Sequence, residues 1–203
     1  MRTKLMVGAG FALLAGIASQ RVKPMACPYA LRWTTEFPRP YLTRAAVLKV
    51  LSPRPGEQVL EVGPAHGYHS FAVAEQLAPG GTLHACDIQE KMLDALMRRA
   101  AKRGIENIVP KQGDARELPY ADGSFDAGFL VTVLGEIPDQ TAALRELHRV
   151  IRPGGRLVVG EIAPLDPHFV RFAVLRRRAE AANFLFQSRT GPRLSYLAVF
   201  HRT

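Results

Sequence analysis

The run Val59-Leu60-Glu61-Val62-Gly63-Pro64-Ala65-His66-Gly67-Tyr68 constrains this chain more than any other stretch. A short apolar segment carrying a carboxylate meets a turn of small residues, and an amphipathic stretch follows from Ser70 to Leu77. That order reads as strand, loop, helix. Glycines at 63 and 67 permit positive φ and place no Cβ between the backbone and a ligand, while the first turn of the helix offers unpaired N–H groups. A nucleotide fits such a loop. Spacing narrows the choice, because the NAD-type turn wants Gly-x-Gly-x-x-Gly, whereas here the small residues fall at 63, 65 and 67 with Glu61 two places ahead. A tight strand-to-helix turn without a ligand is the plain alternative.

The rest of the chain supplies acids at the ends of further strands. Thr82 to Cys86 reads as a second strand ending in Asp87, about 20 residues beyond the glycine loop, where a carboxylate can accept from both ribose hydroxyls. NAD enzymes use the same device, so Asp87 supports a nucleoside without choosing which. Ile88 and Met92 follow where an adenine can rest against apolar side chains, and Met92 reads equally as core. A helix runs from Glu90 to Arg103, and Asn107 to Lys111 is a short third strand. In Gln112-Gly113-Asp114-Ala115 beyond it, Asp114 is either a ligand-binding acceptor or the head of an Asx-turn.

Ala127 to Val133 is the fourth strand, with Leu134 to Asp139 as its exit loop. Ala142 to Ile151 forms an amphipathic helix, Arg152-Pro153-Gly154-Gly155 ends it, and Arg156 to Glu161 is the fifth strand. The tail offers a helix from Phe169 to Ala182 and a hairpin of 183–188 and 194–201 joined by 189–193. Ahead of the glycine loop, an irregular apolar segment with Tyr29, Trp33 and Phe37 precedes a helix from Tyr41 to Leu51, stopped by Ser52-Pro53-Arg54-Pro55-Gly56.

Acidic-x-Gly-x-small-x-Gly at the end of a strand resembles motif I of the class I S-adenosylmethionine (SAM) methyltransferases, with Ala65 standing where that family has its middle glycine. Gly113-Asp114-Ala115 before Leu118-Pro119 resembles the family's stretch whose aspartate accepts from the adenine amino group. Leu147-His148-Arg149-Val150-Ile151-Arg152-Pro153-Gly154-Gly155-Arg156-Leu157 resembles its stretch between strands four and five. The matches span residues 55–203, in the family's order. Their flavour is that of the ubiquinone/menaquinone-type small-molecule enzymes.

The resemblance implies an α/β fold, a Rossmann-like three-layer αβα sandwich whose seven-stranded, mostly parallel sheet has order 3-2-1-4-5-7-6 and an antiparallel last strand. It implies SAM as cofactor and S-adenosylhomocysteine as product. Glu61 then faces the ammonium of SAM, and the cofactor set is Glu61, Gly63, Ala65, Gly67, Asp87, Ile88, Met92, Asp114, Ala115 and Val131. The reaction implied is in-line displacement at the sulfonium methyl onto a small apolar or lipid-like acceptor. Strand ends near the topological switch point place Val131 to Ile137 beside the reacting methyl. If the acceptor must lose a proton, Glu136 is the first candidate base and Glu161 the second, with His168 and Tyr196 behind. Two rivals stay open: a SAM-binding regulator without turnover, and an NAD(P)-dependent oxidoreductase, against which the glycine spacing and terminal hairpin speak.

Composition bounds the partners. The 203 residues are 47% apolar, enough for one domain with a sizeable core. Cys27 and Cys86 have neither zinc-site nor disulfide-framework spacing, so no metal is expected. The net charge of +9 is uneven: residues 1–54 carry nine Lys/Arg against one acid, 55–170 carry 11 against 16, and 171–203 carry seven against one. If the basic ends lie together in the fold they make a positive surface suited to an anionic membrane, a nucleic acid or an anionic substrate, or they are simply solvated. The strand-four exit lacks the Asn-Pro-Pro-aromatic motif of amino-methylating nucleic-acid enzymes, which argues against a nucleic-acid acceptor.

Residues 1–24 form a separate apolar segment, 25–54 a cap on the substrate side, and 55–203 the SAM-binding domain. The uncharged run from Leu5 to Ser19 is shorter than a membrane span of about 20 residues. It reads as a short anchor, as a signal-like segment, or as the consequence of a start placed ahead of Met25. The expected location is the cytoplasm, free or held to the cytoplasmic face of a membrane through residues 5–19.

Overall fold

The computed structural model describes residues 24–31, 39–163 and 166–203. Apolar runs bounded by turn residues become the strands β1 (Gln58–Val62), β2 (Thr82–Asp87), β3 (Ile108–Gln112), β4 (Phe125–Val131), β5 (Ile151–Ile162), β6 (Phe184–Thr190) and β7 (Ser195–Arg202). They form one sheet in the order β3-β2-β1-β4-β5-β7-β6. Pairing is parallel from β3 through β5, and β7 runs antiparallel to both of its neighbours. The expected seven-stranded order and antiparallel last strand are both present.

The inner strands read as nearly unbroken apolar runs because both faces of the sheet are covered. One face carries α1 (Arg44–Leu51), α2 (Ser70–Leu77) and α3 (Glu90–Ala101), through residues such as Val47, Leu51, Phe71, Leu77 and Leu96. The other carries α4 (Gln140–Val150) and α5 (Phe172–Ala181), through Leu144, Leu147, Leu175 and Ala179. Successive residues of one strand feed opposite layers, as with Leu157 and Val159 against Val158.

Several boundaries differ from the sequence reading. α1 begins at Arg44 rather than Tyr41, because Tyr41 sits at φ 68° and Thr43 is the N-cap, its hydroxyl accepting from the Ala46 N–H at 3.2 Å. α5 begins at Phe172 rather than Phe169, since the backbone stays extended at Arg171. α3 ends at Ala101 and β3 is shifted one residue onward. The hairpin strands likewise extend to Thr190 and Arg202. The larger correction is β5, which starts at Ile151 rather than Arg156. Phe125 pairs with Ile151 and Ala127 with Arg156, so Arg152 to Gly155 bulge within the strand instead of preceding it. Of the apolar segment at 28–40, Trp33 and Phe37 lie outside the described residues, as do residues 5–19. Among the described residues no helix is long and apolar enough to cross a membrane.

Candidate functional site

The carboxyl ends of β1, β2 and β4 open into one cavity of about 1010 Å³, at the top of the range for small-ligand sites. The glycine turn forms its floor. Gly63, Ala65 and Gly67 all take positive φ, at 70°, 49° and 98°, so the small-x-small-x-small spacing records three left-handed residues in alternation. Ala65 adopts that conformation despite its Cβ. At Gly63 a Cβ would stand 2.4 Å from Val133 Cγ2, and the turn is pinned to β2 by the Gly63 N–H donating to the Cys86 carbonyl at 2.9 Å. Gly67 does not line the cavity: it packs where a Cβ would meet Phe71 Cζ at 2.4 Å, and so supports the turn from behind.

Two acids sit at the strand ends. Glu61 is 4% exposed and accepts from Ser70 Oγ at 2.5 Å. Burial, with Asp87 adding repulsion and Ser70 only partly offsetting it, pushes its carboxyl up to about 8. Asp87 is also raised by burial, to about 6, while the backbone N–H groups of Gln89, Ala65 and Ile88 hold it down. Gln89 donates to its Oδ1 at 2.9 Å. Beside it Ile88 lies 52% exposed and Met92 is buried, and both line the cavity.

Asp114, Ala115 and Val131 line it too. Asp114 does form the Asx-turn, its Oδ1 accepting from the Arg116 N–H at 2.8 Å, and it also pairs with the Arg116 guanidinium at 2.6 Å. That guanidinium holds the Asp114 carboxyl below the usual range.

The opposite wall comes from segments far apart in sequence. Cys27 donates its N–H to Glu136 Oε2 at 3.1 Å, and its carbonyl accepts from Gln89 Nε2 at 2.9 Å. Arg39 Nη1 donates to Thr132 Oγ1 at 2.9 Å. Pro24, Met25, Leu31, Val133, Ile137 and Ile162 make this wall largely apolar. Burial, with Asp166 and Asp87 nearby, raises Glu136 to about 8 despite the Cys27 hydrogen bond and the Arg39 charge.

The two candidate bases part company. Glu136 faces the cavity, whereas Glu161 is fully buried and lies outside its lining. Glu161 Oε2 accepts from the Val170 N–H at 3.1 Å, and Tyr196 donates to the Val170 carbonyl at 2.7 Å. Both side chains therefore anchor the backbone that follows Asp166 and Pro167 on the wall. Burial, with Asp166 and Glu136 nearby, pushes the Glu161 carboxyl well above its ordinary value. His168 is also absent from the lining.

Sequence reasoning missed Arg39, His69 and Asp166, whereas Thr132 falls in the 131–137 span expected beside the reacting methyl and lines the cavity. For His69 there was a local signal, its position one residue ahead of α2 and next to the residue that holds Glu61. The others are brought in by long-range packing. No cluster of His, Cys, Asp and Glu among the described residues could hold a metal ion.

The residues fit SAM. The floor is a turn of small residues, Gly63 to Ala65, an exposed isoleucine and a methionine flank the Asp87 carboxylate, and a buried carboxyl without a cationic partner suits an ammonium.

Comparison with known proteins agrees. Residues 53–185 match a family model described as a methyltransferase domain. The chain is 35% identical over 136 residues to nocamycin O-methyltransferase of Saccharothrix syringae, covering 67% of this chain and 47% of that protein. It is 34% identical over 133 residues to demethylmenaquinone methyltransferase of Staphylococcus aureus (strain JH9), covering 65% and 54%. It thus spans about half the length of these curated relatives. The crystal structure of a SAM-dependent methyltransferase from Aquifex aeolicus superposes with a TM-score of 0.78 at 19% identity, over 87% of this chain and 98% of that one. With more than half of its length matched in order and its sheet arranged in the same fold, the chain belongs to the methyltransferase-domain family.

Proposed function

We propose that this chain transfers the methyl group of SAM to a small apolar or lipid-like acceptor. The observation that carries this reading is that one continuous cavity joins two unlike halves. The half built on β1 and β2 offers acids and a glycine floor, and the half walled by Met25, Leu31, Val133, Ile137 and Ile162 offers apolar surface. Bound SAM supplies an electrophilic sulfonium methyl, open to in-line attack.

The chain's own work is to hold and to exclude. In this reading Glu61 takes the ammonium, Asp87 the ribose hydroxyls, Ile88 and Met92 the faces of the adenine, and Asp114 and Ala115 its edge. The apolar wall keeps water from the acceptor. Fixing two reactants in near-attack geometry supplies on the order of 7–11 kcal/mol when alignment is good, so a base is needed only where the acceptor must lose a proton.

Of the acids on the wall, Glu136 and Asp166, Glu136 at the exit of β4 is the one proposed to take that proton. With its carboxyl raised to about 8 it is mostly protonated at neutral pH, so a base-dependent rate climbs with pH and levels above about 8. The test is turnover of methyl-labelled SAM with lipid and quinone-precursor extracts, for the native chain and Glu136→Gln. Labelled product supports transfer, and loss of the rising limb in the variant assigns the proton to Glu136. Tight S-adenosylhomocysteine binding without product from any extract would leave the regulator reading in its place.

A further inference from the structure

His69 is 6% exposed and lines the cavity, and neither of its ring nitrogens has a hydrogen-bond partner. A buried imidazole with both nitrogens unspent is costly unless something else completes it. Burial, reinforced by the charges of Arg39 and Arg44, lowers its pKa to about 3, so the ring is neutral and keeps one N–H to give. Arg44 is occupied, donating from Nε to the Tyr68 carbonyl at 2.8 Å and stacking over the Tyr68 ring. Arg39 is not: it lines the same cavity, spends one bond on Thr132, and forms no ion pair among the described residues. The acids facing it, Glu136 and Asp166, are both raised by burial, which weakens their competition for its charge.

We propose that Arg39 and His69 form an oxyanion-binding subsite, the guanidinium supplying charge and the neutral imidazole a second donor. This rests on the methyl-transfer reading and deepens it. A guanidinium with unspent donors in a half-buried apolar setting favours a planar, delocalised anion over a neutral group. Two sources offer that chemistry: the carboxylate at the amino-acid end of the cofactor, and a carboxylate, phenolate or enolate on the acceptor. An acceptor bound as its enolate or phenolate arrives already deprotonated, which would relieve Glu136 of its role as base.

The experiment uses the full chain with Arg39→Met, His69→Leu and His69→Gln, each checked for an unchanged melting temperature. Calorimetry measures S-adenosylhomocysteine and its decarboxylated analogue, and then benzoate against benzamide on the protein saturated with S-adenosylhomocysteine. If the cofactor carboxylate is the source, Arg39→Met and His69→Leu weaken S-adenosylhomocysteine about tenfold or more and leave the analogue within about twofold. If the acceptor supplies the anion, S-adenosylhomocysteine binds as in the native chain, and benzoate, but not benzamide, loses about tenfold. In either case His69→Gln, which keeps a side-chain donor, recovers most of the affinity. Native-like binding of all four probes by Arg39→Met and His69→Leu overturns the proposal. So does equal weakening of S-adenosylhomocysteine and its analogue, which marks a structural role. A native chain that binds neither adenosyl compound sinks the cofactor reading instead, and the benzoate arm on that chain still reads the subsite.

Discussion

The two halves of the cavity are built by opposite strategies. The cofactor half is made of contiguous pieces, a strand end, a turn and a helix start, so Glu61, Gly63, Ala65 and Ser70 lie within ten residues. The half proposed for the acceptor is an assembly: Cys27 meets Glu136 across 109 positions and Arg39 meets Thr132 across 93. The first can be specified by local backbone geometry. The second exists only once the sheet has formed. Substitutions in the cofactor half should therefore act sharply and locally, through ligand binding.

The largest effect is expected at Gly63, where the halves touch. Gly63→Val places a Cβ on Val133 and a β-branched residue at φ 70°, and should abolish S-adenosylhomocysteine binding in calorimetry. Adding Val133→Ala relieves the contact but not the strained φ, so recovery should be partial. Full recovery would mean that the floor is set by packing across the halves and not by the turn.

Asp87→Ala should be next. Loss of two hydroxyl-to-carboxylate hydrogen bonds costs about 3 kcal/mol, roughly a hundredfold in affinity for S-adenosylhomocysteine. An unchanged affinity would remove Asp87 from the cofactor half.

Glu61 gives a smaller, pH-linked effect. Its carboxyl is neutral below about 8, and taking up an ammonium requires it to ionise. Affinity for S-adenosylhomocysteine should therefore rise by about tenfold per pH unit towards 8, with proton release visible as a buffer-dependent heat. The ligand-free protein should respond in the opposite sense. The folded state holds this proton over a range where the unfolded chain has lost it, so the contribution is complete below about 4.5 and disappears as pH rises through about 8. Glu61→Gln should flatten both profiles, and persistence of either slope would assign it to another group.

The smallest effect concerns the residue that departs from the family pattern. Ala65→Gly removes a Cβ from a residue at φ 49°, and should raise the unfolding free energy by about 1 kcal/mol in denaturant titrations. A loss of stability would mean that the Ala65 side chain packs usefully against the cavity.

The contrast also explains what could be read before the fold was known. Glu61 to Gly67, Asp87 and Asp114 announce themselves because spacing along the chain encodes left-handed turns and strand ends. Even Ala65, discordant as a letter, occupies the conformation its neighbours required. Arg39 and Asp166 carry no such signal, since their meaning depends on which strand ends they reach. Glu161 shows the reverse: a strand-end acid looks functional in one dimension, while in the structure it is buried outside the cavity lining and accepts from the Val170 N–H. The bulge at Arg152 to Gly155 hid the start of β5, because a Pro-Gly-Gly run normally signals an end and here is absorbed within a strand.

Cys27 deserves a last consequence. Its peptide groups give one bond to Glu136 on the acceptor wall and take one from Gln89 on the cofactor wall. A displacement of this segment would break both bonds, and so would bear on both halves at once. Linkage then makes any cooperation mutual: whatever factor the cofactor lends to acceptor affinity, the acceptor returns to the cofactor.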